Sequence, residues 1–231
     1  MNFTDTKEKG FETLIVDWLV QHNGYEEGSN DDYDKEYAVD ETRLLRFLRD
    51  TQPTEVAKLG IDLSETKKRQ FLNRLSSEIT KRGIIDVLRN GIKVYPADLI
   101  MFYLTPTENN QKSHELFKKN IFSVTRQLRY ASDRAKLALD LCIFINGLPV
   151  ITMELKNSLT GQCTADAVQQ YKDDREPKDI CSRSNAAWYI LQWMTAPLNS
   201  AQSWQRKIAG FFRSIRAIVT EQATRRTRTA L

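Results

Sequence analysis

Cysteine and histidine are scarce in this 231-residue sequence, and each scarcity removes a class of chemistry. The three cysteines, Cys142, Cys163 and Cys181, form no CxxC pair. Their odd number and loose spacing argue against both a zinc site and a disulfide framework, and fit a reducing compartment. The two histidines, His22 and His114, stand in no ligand pattern and read as surface residues. No apolar run approaches the length of a membrane span, and no charged-then-apolar segment opens the sequence. A cytoplasmic location without membrane contact is therefore expected. Internal repeats and low-complexity runs are missing too. Apolar residues at 41% suffice for a core, and charged residues at 28% are those of a globular chain.

The net charge of +4 invites a nucleic-acid reading, but its distribution undercuts that argument. Residues 181–231 hold eight Lys or Arg and one acid, Glu221; residues 1–180 hold 26 basic and 29 acidic residues. The body is thus −3 and the tail +7. Three of the four tryptophans, Trp188, Trp193 and Trp204, also lie in the tail. The chain divides near residue 180.

Along the body, Phe11, Leu14, Ile15, Trp18 and Leu19 recur at helical spacing over 7–22, stopped by Asn23-Gly24. Residues 24–40 are acidic and polar and read as a loop. Helices are expected over 41–50 and 65–81, with a short helix or turn from Gly83 to Asn90-Gly91. Residues 92–104 and 120–130 have β-like content, and 107–116 reads as a polar connector.

The stretch 137–156 is the most informative. Two nearly continuous apolar runs flank Asn146-Gly147, a strong hairpin signal, so both strands are expected to be central and buried. They nevertheless carry Asp140, Glu154 and Lys156. Burying unpartnered charge is costly, so these groups want a metal, a substrate or one another. A strict two-residue loop would pair 140 with 153 and turn Glu154 away from Asp140. An odd-length loop, or a bulge beside Gly147, sets Asp140 opposite Glu154, and this register is the one expected. Lys156 shares the face of Glu154 in any register.

Two carboxylates on adjacent strands make a hard-oxygen site suited to Mg²⁺. A lysine beside them can position the attacking water and offset developing negative charge. The plain alternative is an ion pair that closes the hairpin, since short patterns of this kind are weakly specific.

The segment from Leu139-Asp140 through Asn146-Gly147-Leu148-Pro149 to Glu154-Leu155-Lys156-Asn157 resembles the PD-(D/E)xK nuclease core of type I restriction enzyme R subunits. Gly10-Phe11-Glu12, Gly24-Tyr25, the Val124 to Gln127 segment and Ala167 to Lys172 resemble the same N-terminal region, so the likeness covers about 7–180. It implies an α/β (α+β) restriction-endonuclease-like fold, with a central mixed β-sheet flanked by helices. It also implies a Mg²⁺-dependent endonuclease that hydrolyses duplex DNA alongside specificity and methylation subunits. By that resemblance Asp140, Glu154 and Glu12 hold the metal, and Lys156 is catalytic. Gln170, on a helix of about 163–175, touches the active site or DNA; Tyr171 follows it at once, which departs from the family's usual spacing. An ordinary exposed helix glutamate is the competing reading of Glu12. Gln127 and Arg134 could approach DNA phosphates.

The family's ATP-driven motor needs a GxxxxGK[ST] loop, which these 231 residues do not contain, so no ATP site is expected in this chain. Beyond residue 180 the likeness stops. Plausible codons for parts of 181–194 and 203–220, read one frame over, give peptides similar to the family's continuation. The expectation is a nuclease domain over 1–180, followed by an aberrant basic tail over 181–231 produced by a frameshift that truncates a longer enzyme. That tail is expected to be irregular or weakly helical; its alternative is a basic, aromatic DNA-binding extension. Two other readings stay open: a non-catalytic DNA- or protein-binding remnant with a structural ion network at the hairpin, and a stand-alone nuclease that needs no ATP.

Overall fold

The computed structural model describes residues 8–105, 110–130, 138–156 and 190–194. The first helix, α1 (Glu8–Asn23), lies where the apolar spacing puts it and buries Ile15, Val16 and Leu19. Gly24, at φ 68°, supplies the left-handed residue that ends it.

The acidic stretch expected as a loop is more ordered than its composition suggests. It holds β1 (Glu26–Gly28), a one-turn 3₁₀ helix (Asn30–Asp32), β2 (Tyr33–Asp34) and β3 (Val39–Asp40). Edge strands tolerate charged side chains, which hides β1 from a hydrophobicity reading. Helix α2 (Glu41–Thr51) follows at once, with Asp40 as its N-cap accepting from the Arg43 amide at 3.0 Å. Leu44, Leu45, Phe47 and Leu48 enter the core.

Helix α3 (Pro53–Leu59) was not foreseen; Pro53 sits in its first turn, where a missing N–H costs nothing. Helix α4 (Glu65–Arg82) buries Phe71, Leu72, Leu75 and Ile79, and α5 (Ile84–Asn90) follows after Gly83. A small hairpin, β4 (Ile92–Val94) with β5 (Ala97–Leu99), comes next. Much of the stretch 107–116, expected as a polar connector, belongs to α6 (Gln111–Lys118), capped by Asn110. This helix buries no residue fully and spans only about two turns.

The main sheet runs β1, β6 (Phe122–Leu128), β7 (Leu139–Ile145), β8 (Leu148–Lys156) and β9 (Ile190–Met194). The outer pairs β1–β6 and β8–β9 are parallel, and the inner pairs are antiparallel. This is the expected mixed sheet among helices. Strand β9 falls in the segment expected to be irregular or weakly helical. That expectation is corrected for 190–194: Ile-Leu-Gln-Trp-Met has strong β character and pairs with the outer edge of β8. The rest of 181–231 lies outside the described residues.

Strand β7 is covered on both faces, as its apolar run implies. Leu141, Ile143 and Ile145 join the large core with α1, α2, α4 and α5. Cys142 and Phe144 join a second cluster with Tyr33, Ala38, Leu128 and Tyr130.

The turn between β7 and β8 fixes the register. Ile145 pairs with Leu148, so the loop is the two residues Asn146 and Gly147. Both have positive φ, 51° and 80°, the signature of a type I′ turn. The pairing then slips: Phe144 faces Pro149 but Ile143 faces Ile151, which leaves Val150 as an extra residue. Beyond this bulge Leu141 faces Met153, and one step further residue 140 stands opposite residue 154. The expected register holds, reached by a tight turn plus a bulge rather than by a three-residue loop.

The turn is buried. Asn146 donates to the carbonyl of Met101 at 2.9 Å and to Asn120 Oδ1 at 3.0 Å, and its Oδ1 accepts from the Ile121 amide at 2.7 Å. A Cβ on Gly147 would run into the Asp40 carbonyl oxygen and the Leu44 amide. We expect Gly147→Ala to lose about 3 kcal/mol of unfolding free energy through left-handed strain and overpacking. Asn146→Ala should lose a similar amount, about 2–4 kcal/mol, by leaving buried backbone groups unpaired. Urea denaturation checks both; a loss below about 1 kcal/mol for Gly147→Ala would contradict the docked turn.

Candidate active site

Three elements bring polar side chains to one place at the far end of β7 from the turn. Glu12 projects from α1 and is 6% exposed, so it is not the ordinary surface glutamate of the competing reading. Gln127 stands on β6 and Asp140 on β7, opposite one another in the register that pairs Arg126 with Leu141 and Leu128 with Leu139. The Gln127 amide joins the acids: Nε2 donates to Glu12 Oε2 at 2.8 Å and to Asp140 Oδ1 at 3.2 Å. Position 154 is next across the sheet, opposite Asp140, and position 156 is two residues further along β8.

Gln127 itself is unusual. Its φ is 46°, left-handed one residue before the end of β6, where a non-glycine residue pays a steric cost. Asn30, on the 3₁₀ turn, holds this kink. Its Nδ2 donates to the carbonyls of Arg126 at 3.4 Å and Gln127 at 3.2 Å, and its Oδ1 accepts from the Arg129 amide at 2.8 Å. Arg126, beside it, reaches Thr13 Oγ1 on α1 at 3.0 Å and the Glu27 carboxylate on β1 at 2.8 Å. Helix, edge strand and central strand are thereby tied together around Glu12.

Behind this lies a buried ionic hub. Arg43 Nη1 contacts Asp40 Oδ2 at 2.8 Å and Asp32 Oδ2 at 3.1 Å, its Nε contacts Glu26 Oε2 at 3.0 Å, and its Nη2 donates to the Glu27 carbonyl at 2.9 Å. Burial works to raise the pKa of Glu26, but hydrogen bonding and charge from Arg46 and Arg43 carry it below its ordinary value. Burial likewise opposes the fall at Asp32, where hydrogen bonds from Thr42 and Arg43 prevail. At Asp40 burial wins and raises the carboxyl despite Arg43. The hub fixes the 3₁₀ turn, and with it Asn30.

The sequence-predicted residues therefore fare differently. Glu12 and Asp140 are brought together by side-chain contact through Gln127. The backbone register sets Glu154 across from Asp140, with Lys156 following on the same strand. Gln170, its helix of 163–175, Tyr171 and Arg134 lie outside the described residues. His22 and His114 are exposed, as expected, and His22 stacks on Trp18. Gln127 was expected near DNA phosphates, but its amide is engaged by the two acids. Asn30 and Arg43 were missed: one sits in a polar run, the other on a helix whose charge pattern looks solvated. Among the described residues no three His, Cys, Asp or Glu side chains gather as a metal cluster. Glu12 and Asp140 share the Gln127 amide as a partner.

A family model described as the type I restriction enzyme R protein N terminus matches residues 5–197. The chain belongs to this family. The match spans the sheet, both acids, the hairpin and Lys156, and it runs on past residue 180. No curated protein matches the chain. Membership places this chain with the N-terminal regions of restriction enzyme R proteins, a nuclease-type class. No helix among the described residues is long and apolar enough to cross a membrane.

The hub has a measurable pH signature. Glu26 and Asp32 have folded pKa values below their unfolded ones, so their stabilisation is present above about pH 4 and is lost as pH falls through the folded values. Arg43→Met should cost about 3–5 kcal/mol near pH 7, because Asp40 is left buried and unpaired. As pH falls from the unfolded values through the lower folded ones, the acids take up protons, and the gap between wild type and variant should narrow. Urea melts at pH 7 and pH 3.5 read this; an equal gap at both would contradict an ionic hub.

Proposed function

We propose that this domain is the Mg²⁺-dependent endonuclease of a type I restriction R subunit, hydrolysing phosphodiesters of duplex DNA. The observation that carries the reading is the meeting of Glu12 and Asp140 at one amide, with the β7–β8 register setting position 154 opposite Asp140. The donor chemistry fits: Glu12, Asp140 and Glu154 offer hard carboxylate oxygens, the ligands Mg²⁺ prefers. In this reading Asp140 and Glu154 hold the ion with Glu12 beside them. Lys156 orients the attacking water and offsets charge on the phosphate, and Gln170 completes the site or touches DNA. A bound Mg²⁺ lowers the pKa of water and stabilises the departing oxygen.

ATP-driven translocation has no loop to support it in these 231 residues, so the chemistry assigned to this chain is the cut alone. Its partners in this reading are duplex DNA and the specificity and methylation subunits. The competing reading, a non-catalytic DNA- or protein-binding remnant, makes the same carboxylates and lysine a structural network.

Plasmid nicking in Mg²⁺ separates the two. Asp140→Asn, Glu154→Gln and Lys156→Ala should each lower the cutting rate at least about a hundredfold, the scale typical of lost electrostatic stabilisation. Unchanged cutting in Asp140→Asn would remove the assigned site. No cutting by wild type, together with no calorimetric Mg²⁺ binding, would favour the remnant.

A further inference from the structure

Gln127 does more than fill space between two acids. The carboxylates of Glu12 and Asp140 are acceptors only, so the Gln127 nitrogen, not its oxygen, faces both. The two acceptor oxygens lie no farther apart than two hydrogen bonds laid end to end, and the amide N–H groups offset their repulsion. A divalent cation drawn to the same oxygens repels those N–H groups and favours an oxygen in their place. The Gln127 side chain is exposed, so no core packing blocks its movement. Its terminal torsion has a broad, two-fold preference, so a half-turn exchanges nitrogen for oxygen at small cost. The backbone, by contrast, is pinned at φ 46° by Asn30, which keeps the amide at the acids whichever way it points.

We propose that Gln127 is a positioning residue that works as an amide switch: Nε2 holds Glu12 and Asp140 when no cation is bound, and Oε1 turns toward the cation, or a water on it, when one is. The inference rests on the metal-dependent reading of this site and adds to it a residue outside the two carboxylates and lysine of the hairpin.

The test uses the full chain, with Mg²⁺ alone as probe, read by calorimetry and by the Mg²⁺-induced rise in melting temperature. Gln127→Asn tolerates left-handed φ but is one methylene short of the acids. It should weaken Mg²⁺ binding about tenfold, the lower end for loss of a supporting group around a metal. Gln127→Glu keeps the reach and an oxygen but loses the donor. It should melt lower than wild type without Mg²⁺, and recover with Mg²⁺ by a larger shift than wild type shows. A merely structural glutamine predicts a lowered melting temperature in both variants with wild-type Mg²⁺ affinity in Gln127→Asn. That result, or a failure of Gln127→Glu to recover with Mg²⁺, overturns the switch. Asp140→Asn in parallel keeps the two ideas apart. If it abolishes binding while Gln127→Asn leaves it intact, only the switch fails. If wild type binds no Mg²⁺, the metal site fails and the switch with it.

Discussion

The burial of the Asn146–Gly147 turn is the constraint from which the rest of the arrangement follows. A type I′ turn is ordinarily a solvent-facing connector, but here Asn146 is fully buried and its side chain is satisfied by Met101, Asn120 and Ile121. Gly147 brings its backbone against α2, where its carbonyl accepts from the Asp40 amide at 2.8 Å. A side chain at Gly147 would hold the hairpin away from the helix. Because the turn cannot slide, the strands on either side of it cannot slide either, and the identities of facing residues are set from the tip outward. A two-residue turn alone would deliver Asp140 to Met153. The extra residue at Val150 changes that parity, so the bulge, not the turn, decides that an acid meets an acid.

The same contact reaches the acids by a second route. Asp40 takes the hairpin carbonyl through its backbone, caps α2 with one carboxylate oxygen and pairs with Arg43 through the other. Arg43 then holds Asp32 on the 3₁₀ turn, whose first residue, Asn30, clamps the carbonyls at Arg126 and Gln127. Thus the left-handed kink on β6 is maintained through Asn30 by the charge cluster around the buried Arg43 and Asp40. A buried ion pair is weak support for stability in general, because desolvation consumes much of its Coulomb gain. Its value here is geometric: a guanidinium with four directed contacts fixes the relative placement of β1, the 3₁₀ turn and α2, which apolar packing alone would leave less defined.

Much of this was legible in the sequence, and what was not has physical reasons. The long helices α1, α2 and α4 showed through apolar periodicity, and the hairpin showed through Asn-Gly between two β-rich runs. The parity that joins Asp140 to position 154 could be demanded from charge burial but not located, since Val150 has nothing in its chemistry that marks a bulge. The edge strand β1 and helix α6 were hidden because neither depends on a full apolar face. Glu12 was named from resemblance; its burial came only with the structure. Asn30 was invisible because its function is carried by backbone carbonyls 96 and 97 residues away.

The net charge carries less meaning than its placement. Over residues 1–180 the acids outnumber the bases, yet the acidic stretch after α1 is not free negative surface: Glu26, Glu27 and Asp32 are consumed by Arg43, Arg46 and Arg126. Glu12 and Asp140, by contrast, meet at the neutral amide of Gln127. An amide offsets repulsion between two carboxylates through its N–H groups without carrying a charge of its own. A lysine or arginine at position 127 would add a charge opposite to theirs, which a glutamine does not.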